Sequence, residues 1–178
     1  GESYCEYPLV RPAPGVVEQD AELWWALTQK AIRQAVASAT HFEDGGSLPT
    51  VRALSVSSQG ISFVPLDDRG EILGPSINWL DTRATAQAQA IRQRYSDADL
   101  FQLTGKQASP SYVLPKLLWL RENEPGIYRR THKFLMGHDF LLFKLSGEHV
   151  TDHSMAGGTL LYDITNLAWS QSLADAFD

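Results

Sequence analysis

Asp152 is the residue of this sequence whose type and surroundings best suit proton transfer. It lies in the stretch Thr151–Thr159, which contains Ser154 and the pair Gly157-Gly158. A carboxylate in a glycine-rich loop is a suitable group to accept a proton as a general base. An aspartate two positions before a serine also commonly caps or turns a loop. The residues alone favour the structural role and leave the catalytic role open.

Asp81, Arg83 and Lys116 are charged residues for which binding and structural roles can both be argued. Asp81 and Arg83 lie two positions apart, so in an extended segment they share a side. They could form a structural ion pair or hydrogen-bond to the hydroxyl groups of a polyol, and the structural pair is slightly favoured. Lys116 is interpreted as a solvated charge whose aliphatic stem covers apolar surface.

The sequence predicts neither a metal site nor a common nucleotide site. It lacks a Walker loop, a dinucleotide-binding glycine triplet and the protein-kinase signature set. Cys5 is the only cysteine, which excludes an intrachain disulfide and a cysteine-based zinc site and fits the reducing cytoplasm, the expected location. Metalloprotease spacing is absent from the histidines, which are His41, His132, His138, His149 and His153.

Length and charge predict one domain and argue against two classes of partner. The 178 residues fall within the usual size of a single domain, so we expect one domain over residues 1–178. The net charge of −6 provides no basic stripe for the phosphates of a nucleic acid. No window approaches the roughly 18 apolar residues that span a bilayer. Neither a nucleic acid nor a membrane is therefore an expected partner.

The elements that must position these residues alternate between strands and helices. Asp20 is predicted as the N-cap of a helix that runs to about Ala39, and a loop at Gly45-Gly46 leads to a predicted buried strand, Val51–Ser57. The alternation indicates an α/β fold. The pattern also predicts an extended edge at Tyr7–Gly15, a hairpin turning at Asp67–Gly70, helices over Thr82–Tyr95 and Leu114–Glu122, a strand at Lys133–Met136, and a helix from about Asp139 to Leu145 that ends at Gly147.

Four groups of short motifs occur in one order along the chain. They are Val17–Asp20 before Trp24-Trp25; Leu54–Asp67 followed by Ile77–Arg83; Leu103–Gly105 followed by Pro115–Leu120; and Leu145–Glu148 followed by Thr151–Thr159, Leu161–Asp163 and Trp169. Any one of these motifs alone is a weak signal. In this order and at these spacings, they resemble the N-terminal domain of the FGGY carbohydrate kinases.

The resemblance implies a ribonuclease-H-like fold of the actin and hexokinase type, and ATP-dependent phosphorylation of a ketose or a polyol. It implies that Asp152 is the catalytic base. An amide suits a sugar pocket because it reads hydroxyl groups, and an indole suits it because it packs against the apolar face of a sugar. The alternatives are a strand-end glutamine and a core tryptophan. Gln59 and Trp79 match positions that line the family's pocket, and Ser111 and Tyr112 fall where the family places a pocket-lining side chain. The residues predicted to bind the substrate are Gln59, Gly60, Trp79, Asp81 and Ser111.

Two segments of the family pattern are not found in this sequence. FGGY kinases begin with a strand hairpin that bears an Asp-x-Gly-Thr phosphate loop, whereas this chain starts at Gly1, after that position. The family's second, nucleotide-binding domain is not found before Asp178. We therefore expect the first strands to be missing, ATP and Mg²⁺ to be bound mainly by absent segments, and the piece to be inactive alone. A proteolytic fragment, an isolated domain and a natural truncation stay open.

The substrate and two other functions also stay open. Gly60-Ile61 stand where xylulose kinases usually carry Met-His and glycerol kinases carry Arg-Glu. A ketopentose such as xylulose, or a related polyol, is favoured over glycerol. The alternative functions are a non-catalytic sugar-binding or sensing domain derived from such a kinase, and a purely structural domain. A homodimer of the parent protein is an open alternative to a monomer.

Overall fold

The computed structural model describes residues 1–39 and 50–177, so His41 and the predicted Gly45-Gly46 loop lie outside the described residues. The strands are β1 (Glu18–Gln19), β2 (Phe63–Leu66), β3 (Ser76–Ile77), β4 (Lys133–Met136), β5 (Tyr162–Asp163) and β6 (Ala168–Trp169). The helices are α1 (Ala21–Ala39), α2 (Thr85–Arg94), α3 (Asp97–Thr104), α4 (Val113–Asn123), α5 (Pro125–Arg130), α6 (Gly137–Ser146), α7 (His153–Gly157) and α8 (Gln171–Phe177).

The main sheet has four strands in the order β1-β3-β2-β4, and each neighbouring pair is antiparallel. Strand β2 is buried along its whole length and pairs with β4 from Phe63 opposite Met136 to Leu66 opposite Lys133. The predicted strand Lys133–Met136 is therefore confirmed at its bounds. Strands β5 and β6 form a separate two-stranded hairpin.

Helix α1 begins where the sequence predicted it. The Asp20 side chain accepts hydrogen bonds from the backbone N–H groups of Glu22 and Leu23 at 2.9 and 3.2 Å, which is the role of an N-cap. The apolar side of the helix buries Ala21 and Trp24. These side chains pack against β2, β4 and α6 in a cluster that also contains Val64, Leu66, Leu135 and Phe140.

The predicted buried strand Val51–Ser57 is wrong. No strand occurs between residues 50 and 62, and Val51 and Leu54 are 65% and 48% exposed. The buried strand lies further along the chain, at β2, where β3 and β4 flank it on both sides. A run of apolar residues becomes a strand only when a neighbouring strand pairs with it, and the described residues provide none for this run. The predicted edge at Tyr7–Gly15 is reduced to one bridge, between Val10 and Glu18.

The remaining predicted helices are present with shifted ends, as α2, α4 and α6. Gly147 ends α6 with a positive φ of 78°, a conformation that glycine adopts at little cost. The predicted turn at Asp67–Gly70 is also present, because the Asp67 side chain accepts from the N–H groups of Arg69 and Glu71. These backbone donors hold the pKa of the Asp67 carboxyl below its usual value. The sequence analysis missed the shorter helices α3, α5, α7 and α8.

Candidate functional site

Gln59 lies in a cluster of three side-chain amides, with Gln19 at the end of β1 and Asn78 directly after β3. The Gln59 Nε2 donates to Gln19 Oε1 at 2.6 Å, and Asn78 Nδ2 donates to the same oxygen at 2.7 Å. Asn78 Nδ2 also lies 3.2 Å from Gln59 Oε1, which accepts from it. Antiparallel pairing of β1 with β3 brings Gln19 to Asn78, although 59 positions separate them. Neither Gln19 nor Asn78 was predicted as a site residue.

Trp79 follows this amide cluster directly and lies at the surface. Its backbone N–H donates to Ser62 Oγ at 2.9 Å, while the residue remains 45% exposed. The alternative of a core tryptophan is therefore wrong. An indole held by its backbone and exposed at its ring can pack against an apolar ligand face without first having to leave the core.

Lys116 supports the cluster from the protein interior. The interpretation of Lys116 as a solvated charge is wrong, because the residue is completely buried and its Nζ donates to the backbone oxygen of Asn78 at 2.7 Å. Burial lowers the pKa of the Lys116 ammonium to about 8; the negative charge of Asp81 opposes this shift and the positive charge of Arg83 adds to it.

Asp81 and Arg83 form the structural ion pair that the sequence allowed, and Glu18 joins it. Both Asp81 oxygens accept from Arg83 Nε at 3.0 Å, and Arg83 Nη2 reaches Asp81 Oδ2 at 2.8 Å and Glu18 Oε1 at 2.7 Å. Asp81 Oδ2 also accepts from the Val17 N–H at 2.6 Å. Asp81 has no exposed surface, and its oxygens are used within the fold. This arrangement supports the structural role, and a sugar contact by Asp81 stays a prediction.

Asp152 is the N-cap of α7. Its Oδ1 accepts from the Met155 N–H at 2.8 Å, which is the cap that the sequence offered as the structural alternative. The side chain is 61% exposed, and its Oδ2 lies 3.5 Å from His138 Nε2. One oxygen of Asp152 is therefore occupied by the cap, while the other faces a histidine and the solvent.

His138 and Asp139, which begin α6 beside Asp152, are both buried. His138 Nε2 lies 3.0 Å from Asp139 Oδ1, but the two atoms lack hydrogen-bond geometry, and neither has a hydrogen-bond partner within the described part of the chain. Burial raises the pKa of the Asp139 carboxyl, and the neighbouring His138, the Thr151 side chain and the Met136 N–H oppose the rise. Neither residue was predicted as a site residue, because their proximity to Asp152 depends on the tertiary fold that brings the start of α7 beside the start of α6.

Close backbone contacts bring the segment that carries Gln59 and Gly60 to these two helices. A Cβ atom on Gly137 would lie 3.2 Å from Ser58 Oγ and 3.8 Å from the Gln59 backbone oxygen, and one on Gly60 would lie 3.9 Å from the sulfur of Met155 in α7. A Cβ on Gly158 would overlap Ile61 Cγ2. The absence of a side chain at Gly158 therefore lets the Ile61 side chain approach its backbone closely.

Ser111 is the predicted pocket residue that the structure joins least to the others. It precedes α4, is partly buried, and its N–H lies 3.4 Å from Ser109 Oγ, to which it donates. The hydrogen bonds among the described residues do not connect it to the amide cluster. Over residues 1–39 and 50–177, no group of three or more histidine, cysteine, aspartate or glutamate side chains could hold a metal ion. No helix in these ranges is long and apolar enough to cross a membrane.

Comparison with known proteins agrees with the sequence motifs. Residues 1–178 match the N-terminal domain of the FGGY family of carbohydrate kinases. The chain is 35% identical over 174 residues to a xylulose kinase of Lactococcus lactis. This match covers 98% of the chain and 34% of that protein. It is 32% identical over 182 residues to a glycerol kinase of Thermococcus onnurineus, in a match that covers 99% of the chain and 36% of that protein.

The fold agrees as well. A ligand-bound xylulose kinase from Lactobacillus acidophilus superposes with a TM-score of 0.85 at 30% identity, over 96% of this chain and 33% of that one. The similarity to such sugar kinases confirms the predicted α/β fold of the ribonuclease-H-like, actin and hexokinase type. The chain spans about a third of the length of the curated relatives it matches. The chain belongs to the FGGY family of carbohydrate kinases, as the N-terminal domain of that family.

Proposed function

We propose that residues 1–178 form one sugar-binding domain of a protein that phosphorylates a sugar or a polyol with ATP. The observation that carries this proposal is the amide cluster of Gln19, Gln59 and Asn78 beside the exposed indole of Trp79. Amide groups exchange hydrogen bonds with hydroxyl groups, and an aromatic ring packs against the C–H face of a sugar. A surface that offers both kinds of group favours a polyhydroxylated ligand.

The part of this domain in the reaction is to bind and orient the acceptor. The described residues offer no cluster of ligands for a cation, and the sequence has no Walker-type phosphate loop. Mg²⁺ does not fit a site built from the described residues, and we derive no step through it or through ATP. We propose that segments outside this chain hold both ATP and Mg²⁺, since the chain covers only about a third of the length of each relative.

A ketopentose such as xylulose is the proposed acceptor. Proteins named xylulose kinase are among the relatives that match nearly the whole chain, although a glycerol kinase matches over a similar length. Gly60-Ile61 differ from the pairs that the family resemblance associates with either substrate. The polar side chain that reads the hydroxyl groups is then Gln59.

Gln59→Ala in the intact protein is expected to raise the KM for D-xylulose about tenfold, because one ligand hydrogen bond and its orientation are lost. The KM for ATP should change less than about twofold, since Gln59 would contact only the acceptor. The measurement is ADP release over a range of D-xylulose, glycerol and ATP concentrations. Gln89→Ala, on the exposed side of α2, is the matched control.

The same assay decides between the proposed function and its alternative. ADP release that depends on one of these acceptors supports the kinase. Saturable sugar binding by the intact protein without any ADP release would favour the sensing domain. A protein that neither binds nor phosphorylates a sugar would contradict both functions and leave a structural domain.

The catalytic role of Asp152 stays a prediction, and its cap makes the two roles separable. Asp152→Ala removes the acceptor for the Met155 N–H and is expected to destabilise the start of α7 by about 1 kcal/mol. Asp152→Asn keeps an acceptor at Oδ1 and is expected to preserve that stability. Hydrogen exchange at the Met155 amide measures the difference between the two variants.

The kinetics of Asp152→Asn then test the base itself. If Asp152 accepts the hydroxyl proton, kcat falls about a hundredfold or more in this variant, although α7 stays capped. A kcat within about threefold of the wild type would remove Asp152 from the chemistry and leave it as a helix cap.

A further inference from the structure

Gln19 carries a polar group that the described fold does not use. Only 3% of the residue is exposed. Its Oε1 accepts two hydrogen bonds, from Gln59 Nε2 and from Asn78 Nδ2. Its Nε2 donates to no acceptor within residues 1–39 and 50–177. Among the described residues, this Nε2 atom is not one of the fully buried side-chain atoms that lack a hydrogen-bond partner, so it reaches the surface and is available to an acceptor outside the fold.

The orientation of the Gln19 amide is determined by its neighbours. A flip of the amide would place the Nε2 donor against two other N–H donors, at 2.6 and 2.7 Å, and both hydrogen bonds would be lost. The oxygen of Gln19 must therefore face Gln59 and Asn78. The two N–H groups of Nε2 must face away from them.

Asn78, which determines this orientation, is itself held on three sides. Its Oδ1 accepts from the Leu80 N–H at 2.9 Å, its backbone N–H donates to the Val17 oxygen at 2.9 Å, and its backbone oxygen accepts from Lys116 Nζ at 2.7 Å. The Asn78 amide therefore cannot turn over without losing the bond to Leu80. The donor direction of Gln19 is fixed by contacts that extend from the interior of the domain.

We propose that Gln19 is a further sugar-binding residue, whose Nε2 donates a hydrogen bond to an oxygen of the acceptor sugar. The inference rests on the proposed function, because it places the sugar beside Gln59. The matching ligand chemistry is an oxygen that accepts hydrogen bonds, and every ketose and polyol carries several. The amide cluster then presents N–H groups from both Gln19 and Gln59, in a geometry fixed before the sugar arrives.

Gln19→Glu in the intact protein is the sharpest test, because glutamate has the same shape. One carboxylate oxygen keeps the hydrogen bonds from Gln59 and Asn78, while the other replaces the donor with a lone pair. The KM for D-xylulose is expected to rise about tenfold, since a donor is lost and two lone pairs are opposed. The kcat and the KM for ATP should change less than about twofold, a split that a general loss of structure would not produce.

Two further variants make the result decisive. Gln19→Met removes the donor without adding a charge, and it should raise the same KM even if the glutamate variant fails to fold. Because it also removes the acceptor for Gln59 Nε2 and Asn78 Nδ2, its KM should rise above that of Gln59→Ala if the donor itself binds the sugar. Gln89→Glu makes the same chemical change on the exposed surface of α2 and should leave every constant unchanged. Thermal unfolding of each variant identifies those that are folded.

The outcomes separate this inference from the proposed function. A rise of about fivefold or more in the KM for D-xylulose, in either folded Gln19 variant, supports the assignment. A smaller change in both, with wild-type turnover intact, overturns the assignment of Gln19 and leaves the kinase standing. If the wild-type protein neither phosphorylates nor binds D-xylulose or glycerol, the proposed function fails and the assignment fails with it.

Discussion

Asp81→Ala is expected to lower the free energy of unfolding by about 3 kcal/mol or more. The substitution leaves the Arg83 guanidinium, whose side chain is only 9% exposed, with Glu18 as its remaining charged partner. It also removes the acceptor of the Val17 N–H. An uncompensated buried charge and an unsatisfied buried donor each carry a desolvation cost. Urea unfolding, followed by hydrogen exchange at the Val17 amide, measures the loss and locates it.

The double variant Asp81→Ala, Arg83→Met provides the matched control. Removal of both partners eliminates the unpaired charge, so the double variant should be more stable than Asp81→Ala alone. A loss of less than about 1 kcal/mol in the single variant would mean that Arg83 turns outward into water. In that case the ion pair would contribute little to holding β1 against β3.

The stability of the protein is expected to rise between pH 8 and pH 10.5 through Lys116. The pKa of Lys116 is about 8 in the fold and has the ordinary value of 10.5 when the chain is unfolded. Between these values the unfolded chain binds more protons than the folded chain, so the free energy of unfolding increases with pH. The two pKa values correspond to about 3 kcal/mol over the whole window. Below pH 8 the contribution of Lys116 should be constant.

Comparison with Lys116→Met isolates this effect from other groups that titrate in the same window. The difference in unfolding free energy between wild type and variant should grow in favour of the wild type from pH 8 to pH 10.5. Urea unfolding at half-unit steps of pH measures it. Lys30→Met, on the exposed side of α1, should show no such trend. Parallel curves for wild type and Lys116→Met would mean that the buried ammonium keeps its ordinary pKa.

Local signals in the sequence predicted the elements that depend on local contacts. The Asp20 cap acts on backbone groups two and three residues away, and Gly147 ends α6 through its own backbone conformation. The run Val51–Ser57 has the composition of a buried strand, but its burial depends on a partner strand elsewhere in the chain. Strand β2 has such partners on both sides, and no periodicity in the sequence distinguishes the two cases.

The candidate site could be predicted only in part, because many of its contacts join residues that lie far apart in the sequence. The two-residue spacing of Asp81 and Arg83 suggested an ion pair, but Glu18 joins it only because β1 pairs with β3. Lys116 has the composition of a surface residue, yet it is buried under Asn78, 38 positions away. The exposure of Trp79 and the direction in which the Gln19 Nε2 group faces likewise depend on contacts made across the sheet.

The exposed segment from residue 50 to residue 59 has a practical consequence for handling this domain in solution. It displays Val51 and Leu54 to the solvent, with no strand beside it in the described part of the chain. Extended apolar segments of this kind are sites where a second copy of a chain can add. We expect concentrated samples of the isolated domain to self-associate through this segment. Leu54→Lys is expected to improve solubility, because it places a charge in the segment.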